Sequence, residues 1–145
     1  MSLTLRRLRR LAIVPAFAIA GSCGDLSTSV IPDVIPGTYA ATSFRVTPPG
    51  QATVDVIAAG GSLTITIAQD FTTDGTLFMP AGLISSQAVQ ESMAGKLVQK
   101  LDGTYFFQQG AATFMRLLIW QQATDAFVTT TQLEDGTSFQ IAIQK

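Results

Sequence analysis

The sequence predicts an all-β domain, a small antiparallel meander of eight to ten short strands that closes into a barrel, with a β-sandwich as the alternative. From residue 37 onward, apolar side chains recur at every second position, as in Leu63, Ile65 and Ile67. Threonine is frequent between them, which is typical of half-exposed strand positions. Glycine-containing turn signals separate these runs, so the connections between strands are predicted to be short.

Turn signals divide the first half of the domain into four strands. A Pro-Pro-Gly turn at residues 48–50 ends the first strand, and Gly60-Gly61 ends the second. Asp74-Gly75 predicts a hairpin turn after the third, because both residues tolerate positive φ. The predicted strands of this half cover residues 38–46, 52–58, 62–68 and 76–80.

The second half contains two further hairpin signals, Asp102-Gly103 and Asp135-Gly136. Residues 81–95 leave two alternatives open, since Leu83, Ile84, Ala88 and Met93 can share the face of a short helix. Without that helix, the predicted strands cover residues 87–92, 96–101, 104–108, 112–119, 126–133 and 137–144.

Residues 1–22 have the pattern of a secretory signal peptide. Four arginines between residues 6 and 10 precede a mostly apolar run over residues 11–20, which is shorter than the about 20 residues that span a bilayer. Small residues then lead into Cys23, the only cysteine, and this arrangement resembles a bacterial lipoprotein signal. The resemblance implies that Cys23 is acylated, so that the protein is held in the bacterial cell envelope, at the periplasmic face or the outer membrane.

Two segments follow the predicted cleavage point. Residues 23–36 contain serine, threonine and proline without a regular apolar period, and we expect them to form a flexible tether. Residues 37–145 form the β domain. Residues 1–22 hold four of the nine Lys and Arg residues and none of the ten Asp and Glu residues, so the remaining chain has a formal net charge of −5. Such a chain presents no basic surface for nucleic acid, and we expect its membrane contact to depend on the lipid anchor.

Three short motifs resemble those of lipocalin-like domains. Gly37-Thr38-Tyr39 opens the first strand, which a Pro-Gly turn follows. Similar strand openings occur at residues 61–65, which begin with Gly-Ser, and at residues 103–105, which read Gly-Thr-Tyr. Tyr39 stands where this family places a tryptophan that closes one barrel end. The arginine that this family often has on the last strand, next to that tryptophan, is not present in this sequence. The resemblance implies a small antiparallel barrel that binds a small apolar ligand.

Residue types that carry most enzyme chemistry are missing from the predicted domain. The chain contains no histidine, which removes the commonest general base and the commonest metal ligand. Glu134 and Asp135 are adjacent in a predicted turn, and Asp70, Thr72 and Asp74 offer few oxygen ligands for calcium. We therefore predict a protein that is not an enzyme, with no catalytic residues, metal site or cofactor.

Two functions fit these expectations. In the first, a small apolar molecule lies inside the barrel among inward-facing side chains, and Tyr39 closes one end. In the second, the protein is a structural or protein-interaction lipoprotein with a filled core, and an apolar outer patch around Leu118 and Trp120 contacts an unknown protein partner. The predicted ligand-binding residues are Tyr39, Leu63, Ile65, Ile67, Phe127, Phe139 and Ile141.

Overall fold

Ten β-strands form one sheet in the computed structural model, which describes residues 36–110 and 114–145. The predicted signal peptide, Cys23 and all but the last residue of the predicted tether lie outside the described residues. The strands are β1 (Gly37–Thr47), β2 (Val54–Asp55), β3 (Ser62–Ile67), β4 (Thr72–Met79), β5 (Val89–Ser92), β6 (Gly95–Gln99), β7 (Tyr105–Gln109), β8 (Gln121–Ala123), β9 (Ala126–Gln132) and β10 (Ser138–Gln144). A 3₁₀ helix (Phe114–Leu117) lies between β7 and β8.

The sheet is an antiparallel meander that nearly closes into a barrel, as predicted. Its strand order is β7-β6-β4-β3-β1-β10-β9-β8, and β2 and β5 add short pairings to β1 and β4. The two ends of this order meet at Tyr105 and Trp120, whose backbones exchange two hydrogen bonds of 2.8 Å. Tyr105 begins β7 and Trp120 directly precedes β8, so this single residue pair joins the two ends of the strand order. The barrel alternative is therefore confirmed over the sandwich.

A β-bulge in β1 controls which side chains enter the barrel. The register of β1 on β10 shifts between Ala41 and Ser43. Without the bulge, Tyr39 and Phe44 would face opposite sides, because side chains alternate along a strand. With it, both are buried inside the barrel.

Three hairpins use the same turn chemistry. In each, an Asp Oδ1 accepts the amide of the threonine two residues later, and the residue between them has positive φ. Glycine occupies that middle position at Gly103 and Gly136, as the sequence predicted, but Phe71 occupies it in the turn between β3 and β4. The three pairs are Asp70 with Thr72, Asp102 with Thr104, and Asp135 with Thr137.

The predicted turn at Asp74-Gly75 is wrong. Both residues lie within β4, where Gly75 has a φ of 136° and pairs with Ile65 of β3. A Cβ at Gly75 would collide with the carbonyl oxygen of Thr64, so glycine is required here by close strand approach. The turn that the sequence placed here occurs earlier, at residues 68–72.

Two other boundaries also differ from prediction. The strand predicted over residues 112–119 is absent from its described part, residues 114–119, which form the 3₁₀ helix and an irregular segment, and β8 begins only at Gln121. The strand predicted over residues 52–58 shrinks to the two residues of β2. The helix considered for residues 81–95 does not form, since residues 81–87 are turns and bends and β5 pairs with β4.

Candidate functional site

The barrel interior is the candidate site, because it holds all seven predicted ligand-binding side chains. Each of the seven is buried, with an exposed fraction of 2% or less, and all belong to one apolar cluster. The structure therefore confirms that these residues face inward and brings them together. The seven are Tyr39, Leu63, Ile65, Ile67, Phe127, Phe139 and Ile141.

One side of the interior, which we call the apolar wall, consists of the inward side chains of β1, β3 and β10. Apart from the Tyr39 hydroxyl, its buried side chains are hydrocarbon. These strands are adjacent in the sheet, and their two-residue period places every second side chain inside. Its buried members are Tyr39, Phe44, Val46, Leu63, Ile65, Ile67, Phe139, Ile141 and Ile143.

The other side, which we call the polar wall, consists of the inward side chains of β7, residues 118–123 and β9. In strand order it adjoins the apolar wall where β9 pairs with β10, and β4 and β6 separate the two walls on the other side. Hydrogen-bonding groups recur among its aromatic and aliphatic side chains, whereas burial of such groups costs free energy unless they find partners. Its polar members are buried Tyr105, Gln109, Trp120 and Thr129, with Gln122 and Thr131 half-buried.

Two of these polar groups have no hydrogen-bond partner among the described residues. The Tyr105 Oη and the Trp120 Nε1 atoms are both buried and unpaired there, in side chains that are 2% and 0% exposed. Each ring is held edge-on by a phenylalanine, Tyr105 by Phe127 at 5.6 Å and Trp120 by Phe107 at 5.4 Å between centroids. Packing therefore fixes the two rings, although no hydrogen bond within the described residues fixes their polar atoms.

Threonine hydroxyls form a short network beside Trp120. The Oγ1 atoms of Thr129 and Thr131 are 2.9 Å apart, and the Ile119 amide donates to Thr131 Oγ1 at 3.3 Å. Continuing the β8–β9 register by one residue places Trp120 opposite Thr129, because Gln121 pairs with Val128. Thr129 and Trp120 are thus cross-strand neighbours on the polar wall.

Aromatic side chains crowd the interior at two levels. Phe127 packs against two tyrosines, with ring centroids 5.4 Å from Tyr39 and 5.6 Å from Tyr105. Nearer the other end, Phe114 of the 3₁₀ helix stacks on Phe139 at 4.4 Å, with 10° between the rings. These contacts fill much of the described interior with the protein's own side chains.

Burial also affects the ionisation of both interior tyrosines. Desolvation raises the pKa of the Tyr39 phenol, and the negative charge of Asp125 raises this pKa further. Desolvation alone raises the pKa of Tyr105. Both phenols therefore stay protonated at neutral pH, and Tyr105 can act as a hydrogen-bond donor there.

The carboxylates considered for calcium or acid–base chemistry serve the hairpins instead. Asp70 Oδ1 accepts hydrogen bonds from both the amide and the hydroxyl of Thr72, and these bonds lower the pKa of Asp70. Asp102 makes the same pair of bonds with Thr104, which likewise lower its pKa. Across residues 36–110 and 114–145, no group of three or more acidic, histidine or cysteine side chains is placed to hold a metal ion.

Glu134 and Asp135 lie in the turn between β9 and β10, as predicted, and both are exposed. Asp135 Oδ1 accepts the Thr137 amide at 2.8 Å, so its role is to shape the turn. A surface groove of about 500 Å³ lies beside this turn, lined by Leu117, Leu133 and both acids. The two carboxylates therefore border an open groove on the outside of the barrel.

The apolar outer patch predicted around Leu118 and Trp120 is wrong, because both side chains are fully buried. The reason is the change from strand to 3₁₀ helix, which turns these two residues inward and leaves Leu117 60% exposed. The exposed apolar residue of this segment is therefore Leu117, which precedes the predicted Leu118.

Sequence reasoning selected the apolar wall and missed the polar wall. The alternation that identified Leu63, Ile65 and Ile67 is a pattern of hydrocarbon side chains, so it cannot single out inward polar residues. A signal was present in β9, where Thr129 and Thr131 share the inward face that begins with Phe127. For Tyr105 and Trp120, no local pattern shows that they become neighbours.

No helix in the described part of the chain is long and apolar enough to cross a membrane. No family model, curated protein or solved structure matches the chain.

Proposed function

We propose that this chain is a lipid-anchored protein of the bacterial cell envelope, whose lipocalin-like barrel binds a small, largely apolar molecule. The observation that carries this proposal is the presence of both the polar wall and the apolar wall inside one barrel. Sites for small molecules are mostly apolar, with a few polar groups that orient the ligand. An eight-stranded barrel is wide enough to hold one such molecule.

The polarity of one wall supports binding over simple packing. A core that serves only stability gains from hydrocarbon side chains, whereas an unpaired buried donor costs about 1–3 kcal/mol. The described interior nevertheless contains two such donors, at Tyr105 and Trp120. A bound molecule that pairs with them offsets this cost, which gives the polar side chains a use.

The lipid anchor is supported by the sequence alone, through the basic cluster, the apolar run and the single Cys23. Its test is incorporation of radiolabelled palmitate by a bacterial host that expresses the full chain. We expect labelling of the full chain, no labelling of a Cys23→Ser variant, and release of that variant from the membrane fraction. Labelling that survives Cys23→Ser contradicts the anchor.

Ligand binding is tested by native mass spectrometry of the Cys23→Ser full chain, secreted by a bacterial host and purified without detergent or denaturant. A molecule of one defined mass that co-purifies, and that is lost on unfolding, supports the binding function. An unliganded mass in repeated preparations from several growth conditions contradicts it.

The second candidate function is that of a structural or interaction lipoprotein with a filled core. The stacking of Phe114 on Phe139 and the edge-on packing around Phe127 favour it, since these rings occupy interior space. Its contact surface would lie on the outside, where Leu117 is exposed beside the groove at Leu133. A consistently unliganded protein whose association with an envelope protein is lost on Leu117→Ser would support this function.

A further inference from the structure

The barrel interior contains two hydrogen-bond donors that belong to residues paired directly across neighbouring strands. Tyr105, at the start of β7, and Trp120, directly before β8, form the residue pair that closes the barrel. The backbone N–H of each donates a hydrogen bond to the carbonyl oxygen of the other. Directly opposed residues of an antiparallel pair project to the same face, with Cβ atoms about 5 Å apart. Because both side chains are buried, that face is the interior.

The chemistry of the two groups restricts what can bind them. An indole N–H only donates, and the Tyr105 phenol remains protonated and can donate as well. Neither the Tyr105 Oη nor the Trp120 Nε1 has a hydrogen-bond partner among the described residues. One oxygen atom with two lone pairs, placed between them, would satisfy both donors.

Charge restricts the ligand further. No charged side chain is buried in the described residues, and all their basic side chains are exposed. A carboxylate between the donors would therefore be buried without a cation, which is strongly unfavourable. The basic residues are Arg45, Lys96, Lys100, Arg116 and Lys145.

We propose that the Tyr105 hydroxyl and the Trp120 indole N–H form a two-donor site for a neutral carbonyl oxygen, as in a ketone or an ester, carried by an otherwise apolar ligand. This inference rests on the proposed binding function and names the class of ligand. Hydrocarbon contacts with the apolar wall hold the rest of the molecule, and the two donors select the neutral acceptor.

The test uses the indole resonance of Trp120, which is the only tryptophan in the chain. The Cys23→Ser full chain, labelled with ¹⁵N, is titrated with cyclohexanone, methylcyclohexane and cyclohexanecarboxylate, which are similar in shape but differ in the acceptor. We expect cyclohexanone to move the indole N–H signal downfield. We also expect it to bind about two- to tenfold more tightly than methylcyclohexane for each donor that it engages. Cyclohexanecarboxylate should bind most weakly.

A Tyr105→Phe variant tests the second donor. It should lose about two- to tenfold in affinity for cyclohexanone and leave the affinity for methylcyclohexane unchanged. The matched control is Thr73→Val, which removes a buried hydroxyl that already donates to the Met93 carbonyl oxygen at 2.8 Å. The control should keep the preference for the ketone over the hydrocarbon.

Each outcome has a definite meaning. Equal binding of ketone and hydrocarbon, or a ketone preference that Tyr105→Phe leaves undiminished, overturns the two-donor site and leaves the binding function standing. Stronger binding of the carboxylate overturns the selection of a neutral ligand. If none of the three probes shifts any interior resonance, and native mass spectrometry finds no ligand, the binding function itself fails.

Discussion

Tyr39 and Tyr105 both pack against Phe127, yet they belong to walls of different character. Tyr39, in β1, is surrounded by the hydrocarbon side chains of the apolar wall, whereas Tyr105, in β7, lies opposite Trp120 on the polar wall. The apolar wall gains stability from burial of hydrocarbon. The polar wall contains buried donors, at Tyr105 and Trp120, that form no hydrogen bond within the described residues. Hydrocarbon side chains and buried hydrogen-bonding groups are thus concentrated on different strands of one small barrel.

The largest effect is expected on the apolar wall. Ile65→Ala removes a fully buried side chain from β3 and leaves a cavity, so we expect the free energy of unfolding in urea to fall by about 2–5 kcal/mol. Val128→Ala, on the outward face of β9, is the control and should change stability by less than about 0.5 kcal/mol. Equal effects of the two variants would contradict the division between interior and exterior.

A moderate effect is expected in the threonine network of the polar wall. Thr129→Val keeps the shape of the side chain and removes its hydrogen bond with Thr131. We expect a loss of about 0.5–1.5 kcal/mol in urea unfolding. Thr130→Val, which changes an exposed position of the same strand, should be close to neutral. A neutral Thr129→Val would show that the network adds nothing to stability.

Alkaline pH should destabilise the protein through both tyrosines. Their pKa values are raised in the folded protein, so their contribution to stability is complete below the ordinary tyrosine pKa of about 10 and is lost as the pH rises through the folded values. Circular dichroism should therefore show unfolding above about pH 10, together with the rise in tyrosinate absorbance.

Replacing one or both tyrosines with phenylalanine separates the contributions of the two walls to the alkaline loss of stability. Tyr39→Phe and Tyr105→Phe should each reduce the alkaline loss of stability, and the double variant should abolish the tyrosine contribution. An undiminished alkaline transition in the double variant would show that other groups cause it.

The smallest effect is expected from Tyr105→Phe at neutral pH. In the unliganded protein the Tyr105 hydroxyl has no partner among the described residues, so its removal should leave the free energy of unfolding unchanged or raise it by up to about 1 kcal/mol. A clear loss of stability in urea would mean that the hydroxyl already has a hydrogen-bond partner, such as a buried water molecule.

Much of the fold could be predicted because its signals are local. The alternation in β3, β9 and β10 identified inward residues such as Ile65, Phe127 and Ile141, and burial confirms them. Asp-Gly pairs at residues 102 and 135 predicted two hairpins, where glycine adopts positive φ. The same signal failed at Asp74-Gly75, because glycine also serves where strands approach closely, and the sequence does not distinguish these two uses.

The candidate site was predicted only in its apolar part. Residues 115–120 have apolar side chains on both faces, so their periodicity could not show that Met115, Leu118 and Trp120 face inward from a 3₁₀ helix and an irregular segment. Phe71 could not be recognised as a turn residue, since aromatic side chains rarely adopt the positive φ of 64° that it has here.

The strand period, most turns and the apolar character of the interior follow from the sequence alone, because each depends on residues close together in the chain. The bulge that places Tyr39 and Phe44 on one face, and the pairing of Tyr105 with Trp120, arise only when the sheet is assembled. The physical reason is that closure of a barrel sets contacts between strands far apart in sequence. Whether two buried donors meet depends on the register of the whole sheet, and no local pattern encodes that register.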